Sequence, residues 1–309
     1  MKGTTYSTLN NKTPPRRALS CGGQGMSMMN YHLTLAGLRT VLRVPYAITI
    51  SESLQPFLCH NHKETDCVIT LRPCSQLPAF SENGVWHGLE YYDCYQSSLR
   101  IFHCNSPKTA AFAVTQHFEN GNIEICVLPD YLFYFTGTAG IFNRIGMETL
   151  LLQHHSLLLH ASLIKYKGKA LAFAGPSGIG KSTQADIWHA FLGADIINGD
   201  RAALRKEGDG WYAYGCPYAG TSGIYKNDSA KLVAIVLLEQ AEENHFRRLT
   251  AAEAFRHIYQ EFSVHHWQRQ FVEKATDLCL QLLTETPIYL LKCRPEESAA
   301  VLVKKGLCL

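Results

Sequence analysis

The residues Gly175, Pro176, Ser177, Gly178, Ile179, Gly180, Lys181, Ser182 and Thr183 fit the spacing G-x-x-x-x-G-K-[ST]. Each residue type there has a chemical use. Glycines let successive backbone N–H groups turn toward one anion, and a helix beginning near Lys181 aims its positive end at the same point. A lysine at that position reaches β- and γ-phosphates, and the Ser182 hydroxyl is suited to a magnesium ion. The nine residues are therefore read as a nucleotide-binding loop. A glycine-rich turn with a surface lysine is the plainer alternative.

Other chemistry-bearing side chains stand farther along. Asp200 follows the apolar run Ala194-Asp195-Ile196-Ile197 in an Asn198-Gly199 turn. A carboxylate projecting from a strand end holds Mg²⁺ or accepts a hydroxyl proton, or satisfies its own turn. Arg201 is read as a partner for phosphate or for Asp200. His160 sits in an apolar run, where a lone histidine is usually a hydrogen-bonded core residue. Lys226 belongs to a long glycine-bearing loop from Gly215 to Asn227, a type that often closes over substrates. Glu239 ends a buried run, as a Walker-B acid would. Cys59, His60, His62 and Cys67 are ligand types at a spacing that matches no common zinc pattern.

These groups need positioning elements. Ala170 to Ala174 reads as a strand and Gln184 to Phe191 as a helix, so the loop lies between strand and helix. Ser156 to Ile164 reads as a strand that turns at Lys167-Gly168 into the strand before the loop. Trp211 to Tyr214, Leu232 to Leu238 and Ile288 to Leu291 are further strands, and Thr250 to Tyr259 and Gln270 to Leu283 helices. Residues 30–145 alternate like strands and spell no catalysis. A helix-like recurrence from Gly140 to Leu152 marks the border between two domains. The expected organisation is a disordered head over 1–28, a β-rich domain over 29–145, and a nucleotide-binding α/β domain over 146–309.

The 309 residues are 46% hydrophobic and 18% charged, enough apolar material for a core. The formal net charge of +3 comes with no basic stripe, so nucleic acid is not an expected partner. The run from Leu150 to Leu163 is broken by Gln153, His154, His155 and His160, so no membrane span is expected. Eleven cysteines without a C-x-x-C pair suit free thiols in a cytoplasmic protein.

The order His160-Ala161-Ser162, then the loop Gly175–Thr183, the strand ending in Asp200-Arg201, Gly215-Cys216-Pro217 and Leu232 to Leu238 resembles the HPr kinase/phosphorylase C-terminal domain. It resembles more closely that family's shorter relatives, found with ribosomally made, modified peptides. The likeness covers roughly residues 145–300. It implies a mixed-sheet kinase domain with a phosphoenolpyruvate carboxykinase-like nucleotide site, using ATP and Mg²⁺. It assigns Asp200, His160 and Lys181 to catalysis, the loop to the nucleotide, and Ser182 and Asp200 to the metal. The family carries two adjacent aspartates where this chain has Gly199 and Asp200. The expected activity is transfer of the γ-phosphoryl of ATP to a hydroxyl, such as a serine of a peptide or small protein, in a chain able to oligomerise. An ATP-binding accessory module without transfer, a carboxykinase-like enzyme, and an ATPase using Glu239 are the alternatives.

Overall fold

The computed structural model describes residues 27–309 except 62, 96, 107, 108 and 267. All but two residues of the expected head, and His62 of the cysteine–histidine cluster, lie outside the described residues.

The chain builds a mixed α/β structure on two eight-stranded sheets. The first sheet uses β1 (Met29–Leu35), β2 (Leu38–Val44), β3 (Cys67–Pro73), β4 (Val85–His87), β5 (Glu90–Tyr95), β6 (Ser98–Ser106), β7 (Thr109–His117) and β8 (Ile123–Val127). Their order is β1-β2-β3-β8-β7-β6-β5-β4, antiparallel except for the parallel pairs β2–β3 and β3–β8. Two short helices, α1 (Thr138–Phe142) and α2 (Met147–Gln153), lead out of it. The single helix suggested by the recurrence from Gly140 to Leu152 is thus divided. Asn143 caps α1, and Gly146, at φ 66°, starts α2 in a left-handed conformation that interrupts the helical path.

The second sheet uses β9 (Ser156–Tyr166), β10 (Lys169–Ala174), β11 (Asp195–Asn198), β12 (Arg201–Glu207), β13 (Gly210–Gly215), β14 (Ser229–Gln240), β15 (His245–Arg248) and β16 (Ile288–Cys293). Its path is β10-β9-β12-β13-β14-β16-β15, with β11 on β9. β14 also pairs in parallel with β10, so this part of the sheet closes on itself. β9 and β10 form the expected hairpin. Lys167 and Gly168 both take positive φ, 49° and 76°, as a tight two-residue turn between right-twisted strands requires.

The helices α3 (Lys181–Leu192) and α6 (Glu297–Gly306) cover one face of the second sheet. They pack with Leu171, Phe173, Val236 and Leu291 around Trp188. The other face meets α2 and α5 (Arg269–Glu285), and α4 (Ala251–Ile258) packs on α5. Its Ala170, Ala172 and Ala174 join an apolar cluster that continues without a break into the first sheet. The alternation along β10 between these two clusters follows from a strand buried on both faces. Among the described residues no helix is long and apolar enough to cross a membrane.

Candidate functional site

β10 runs buried to Ala174, and the chain leaves the sheet through Gly175 to Gly180 into α3. Gly175, Gly178 and Gly180 have φ of 142°, 80° and 111°, values that residues with a Cβ rarely adopt. A Cβ on Gly178 or Gly180 would meet no atom within 4 Å, so nothing packs against the loop at these two positions. α3 buries Lys181, Gln184, Ala185 and Trp188 at helical spacing, which holds its first turn against the sheet. The first amides of that turn have no intrahelical acceptor. Among the described residues no side chain caps them. Ser182 and Thr183 are exposed at this helix start.

Lys181 is 7% exposed. Its Nζ donates to the carbonyls of Gly175 at 2.8 Å and Pro176 at 3.1 Å. Burial lowers its pKa, opposed by the charges of Glu261 and Asp200. The ammonium is thus folded onto the loop with two carboxylates in electrostatic reach.

Asp200 lies between β11 and β12. The turn-satisfying role weighed for it falls to Asn198, whose Oδ1 accepts the amides of Asp200 and Arg201, both at 2.9 Å. Asn198 Nδ2 donates to the carbonyls of Cys216 and Tyr218. The Asp200 carboxylate is therefore left for other partners. His160, directly opposite Arg201 across β9 and β12, places Nε2 3.6 Å from Asp200 Oδ1. Arg201 Nε is 3.5 Å from Asp200 Oδ2, and its Nη1 donates to Ser263 Oγ at 2.6 Å.

Glu261 completes this group, and the sequence reading missed it. It ends a 3-10 turn after α4, and the following chain is pinned to β9 by the Leu159–Phe262 bridge and by Ser263 N donating to Leu158 O. That anchoring sets Glu261 Oε2 3.5 Å from His160 Nδ1. Glu261 is 8% exposed. Its burial beside Phe262 is a structural outcome, and Tyr259-Gln260-Glu261 in the sequence carried no local signal for it. The histidine thus stands between two carboxylates, at ion-pair distances longer than a good hydrogen bond. Asp200, then Glu261, raise the His160 pKa against the effect of burial. His160 in turn lowers that of Asp200.

Gly199, at the position of the first family aspartate, has its side-chain space taken. A Cβ there would lie 2.0 Å from Ser222 Oγ and 2.3 Å from Ser222 Cβ. The loop from Gly215 to Asn227 packs on the strand end instead of standing open. Asn198 grips Cys216 and Tyr218, Lys226 N donates to Ile197 O, and Gly220, at φ 54°, lies so near Asp200 that a Cβ would be 2.7 Å from Asp200 Cγ. The loop forms a wall of the site. Lys226 Nζ turns to Asp195 at 3.8 Å. Glu239 is exposed and pairs with Lys292 at 2.6 Å.

A resident Mg²⁺ suits the groups present. One half-buried carboxylate, Asp200, and one hydroxyl, Ser182, are oxygen ligands of the kind that hold this ion together with substrate phosphates. Among the described residues no three His, Cys, Asp or Glu side chains form a metal cluster, Cys59, His60 and Cys67 included.

A family model described as SynChlorMet cassette protein ScmC matches residues 147–294, just under half of the chain. No curated protein matches it. Among solved structures, the Hpr(Ser) kinase/phosphatase from Coxiella burnetii is similar at 12% identity, covering 48% of this chain and 95% of that one, with a TM-score of 0.30. The matched family region runs from α2 to just past β16 and contains the glycine loop, His160, Asp200 and Glu261.

Proposed function

We propose that the protein is a phosphotransferase that moves the γ-phosphoryl of ATP to a hydroxyl acceptor. The observation that carries this reading is the convergence of three things. They are a loop of positive-φ glycines at a helix start with nothing packed against Gly178 or Gly180, a buried lysine at the head of that helix, and a half-buried carboxylate freed from its turn by Asn198. In this reading residues 175–183 hold the triphosphate through backbone amides, and Lys181 leaves the Gly175 and Pro176 carbonyls for the phosphates. Ser182 and Asp200 hold Mg²⁺, which when bound neutralises phosphate charge.

Asp200 accepts the acceptor's hydroxyl proton. The hydroxyl oxygen bonds to the γ-phosphorus, the bond from that phosphorus to the bridging oxygen breaks, and ADP leaves. Lys181 stabilises the charge that grows toward the leaving phosphate. His160 tunes Asp200: protonated, it pairs with the carboxylate and weakens it as a base, and neutral, it leaves Arg201 as the carboxylate's ion-pair partner. Calorimetric titration with ATP and Mg²⁺, followed by transfer of labelled γ-phosphate to hydroxyl compounds, tests the reading. Absence of any heat of binding would overturn it.

A second reading, a nucleotide-binding module without transfer, is favoured by one observation. Ser222 fills the place a second aspartate would need. It expects ATP binding that survives Asp200→Asn, and no phosphorylated product from the unaltered protein.

A further inference from the structure

The loop from Gly215 to Asn227 brings a hydroxyl of this chain to the Asp200 turn. Gly220 to Ser222 form one 3-10 turn within it. The first residue of that turn lies against the Asp200 carboxylate: a Cβ on Gly220 would stand 2.9 Å from Asp200 Oδ1. The last, Ser222, lies against Gly199, with Oγ 2.0 Å from the point a Gly199 Cβ would occupy. Consecutive Cα atoms are about 3.8 Å apart, so this hydroxyl stands within roughly 7 Å of the Asp200 Cα. The charge of Asp200 in turn acts on Lys181. A γ-phosphoryl held by Lys181 therefore arrives at the strand end that Ser222 borders.

The hydroxyls around Asp200 differ in how they are held. Ser162 is fully buried and donates to Gly199 O at 2.9 Å. Ser263 accepts from Arg201 at 2.6 Å. Tyr218 donates to Phe142 O at 3.0 Å. Ser222 is half-buried, and its bonds are local: Oγ donates to Ala219 O at 2.6 Å and accepts from Ile224 N at 3.2 Å. Turning this side chain breaks no contact with a distant segment except the packing on Gly199. The glycines on either side of Thr221-Ser222 also favour movement. Gly220 and Gly223 have φ of 54° and 65°, and a Cβ on Gly223 would meet nothing within 4 Å. Two such positions are where a short turn can pivot.

We propose that Ser222 is a phosphorylation site which the chain modifies itself, the γ-phosphoryl of ATP held on residues 175–183 passing to Ser222 Oγ. This rests on the transfer reading above and adds a regulation of that same site. Ser222 Oγ bonds to the γ-phosphorus, the bond from that phosphorus to the bridging oxygen breaks, Asp200 takes the hydroxyl proton, and ADP leaves. The product does not fit where the serine was. The unmodified side chain already fills the space beside Gly199. A phosphate of charge about −2 there also faces the Asp200 carboxylate. Crowding and repulsion turn the Gly220–Gly223 segment outward, and the site loses that wall.

The test uses the full chain with ATP and Mg²⁺ and no added acceptor. Calorimetry measures ATP binding, and mass spectrometry of the intact protein and its peptides follows phosphate. The chain gains one phosphate, on Ser222, at a first-order rate that dilution does not change. Ser222→Ala gains none and binds ATP with unaltered affinity, which shows that its fold persists. Asp200→Asn slows the gain by about 10²- to 10⁴-fold. Trypsin cuts the phosphorylated chain after Lys226 faster than the unmodified one, because cleavage follows opening of the loop. Equal cleavage of the two overturns the displacement of the wall. ATP binding with no phosphate gained, phosphate on Thr221 or another residue in place of Ser222, or a rate that rises with protein concentration overturns the self-modification. Transfer to an added hydroxyl compound in the same preparation would then leave the transfer reading standing. Failure of ATP itself to bind overturns that reading as well.

Discussion

Each sheet buries an acid beside a cation, and the two pairs are built differently. In the first sheet Asp93 and Arg100 are 1% and 9% exposed. They meet through two hydrogen bonds of 2.8 and 3.1 Å, with a further one from Ser81 N to Asp93. At the second sheet His160 lies 3.6 Å from Asp200 and 3.5 Å from Glu261, and Asp200 is only half-buried. The first pair is closely matched, so removing Asp93 takes the countercharge from a buried guanidinium. The second is loose and partly open, so its acid has capacity left for a metal ion or a proton. Tight pairing marks structure, and slack pairing beside a lysine and a glycine loop marks a place for chemistry.

The sharpest way to break this comparison is Asp200→Asn. Transfer falls by roughly 10²- to 10⁴-fold, the range for removing a general base, while ATP affinity changes only a few-fold. Measured turnover equal to that of the unaltered protein would remove Asp200 from the chemistry. Next comes Asp93→Ala, which takes from the buried Arg100 both of its hydrogen bonds to that carboxylate. Urea denaturation shows a loss of about 3–5 kcal/mol, and ATP affinity of the folded protein is unaffected. A smaller effect follows from Gly199→Asp, whose Cβ collides with Ser222. It costs about 1–3 kcal/mol, and Gly199→Asp with Ser222→Gly regains a good part of it in the same denaturation experiment.

The smallest effect concerns pH. The folded-state pKa of His160 is raised, so protonation of His160 stabilises the fold fully below the ordinary value of about 6.5 and ceases to do so as pH climbs through the raised one. Over the same window Asp200 loses one cationic partner and keeps Arg201, and the proposed transfer is expected to accelerate. Glu261→Gln removes one cause of the raised value, so the His160 titration followed by NMR moves to lower pH. An unmoved titration would show that Glu261 does not act on this histidine.

The glycine loop was legible because everything it needs is local. β10, six loop residues and α3 follow one another, and each glycine answers a backbone requirement within a few residues. The buried strands β9, β14 and β16 were legible from apolar runs. β12 received no assignment, since Arg201 to Glu207 is rich in residues that favour helices. Pairing with β9 on one side and β13 on the other overrides that preference. Glu261 stands far from His160 in the chain, and no spacing rule joins them. The backbone bridge after α4 does.

Sequence alone determined that a strand, a glycine loop and a lysine-headed helix stand together, because backbone conformation and helix ends obey short-range rules. Tertiary structure alone decided that Asn198 relieves Asp200 of its turn, that Ser222 fills the space beside Gly199, and that Glu261 comes up to His160. Those outcomes depend on which distant segments pack into contact, and packing is settled by the burial of the whole apolar core rather than by any neighbouring residue.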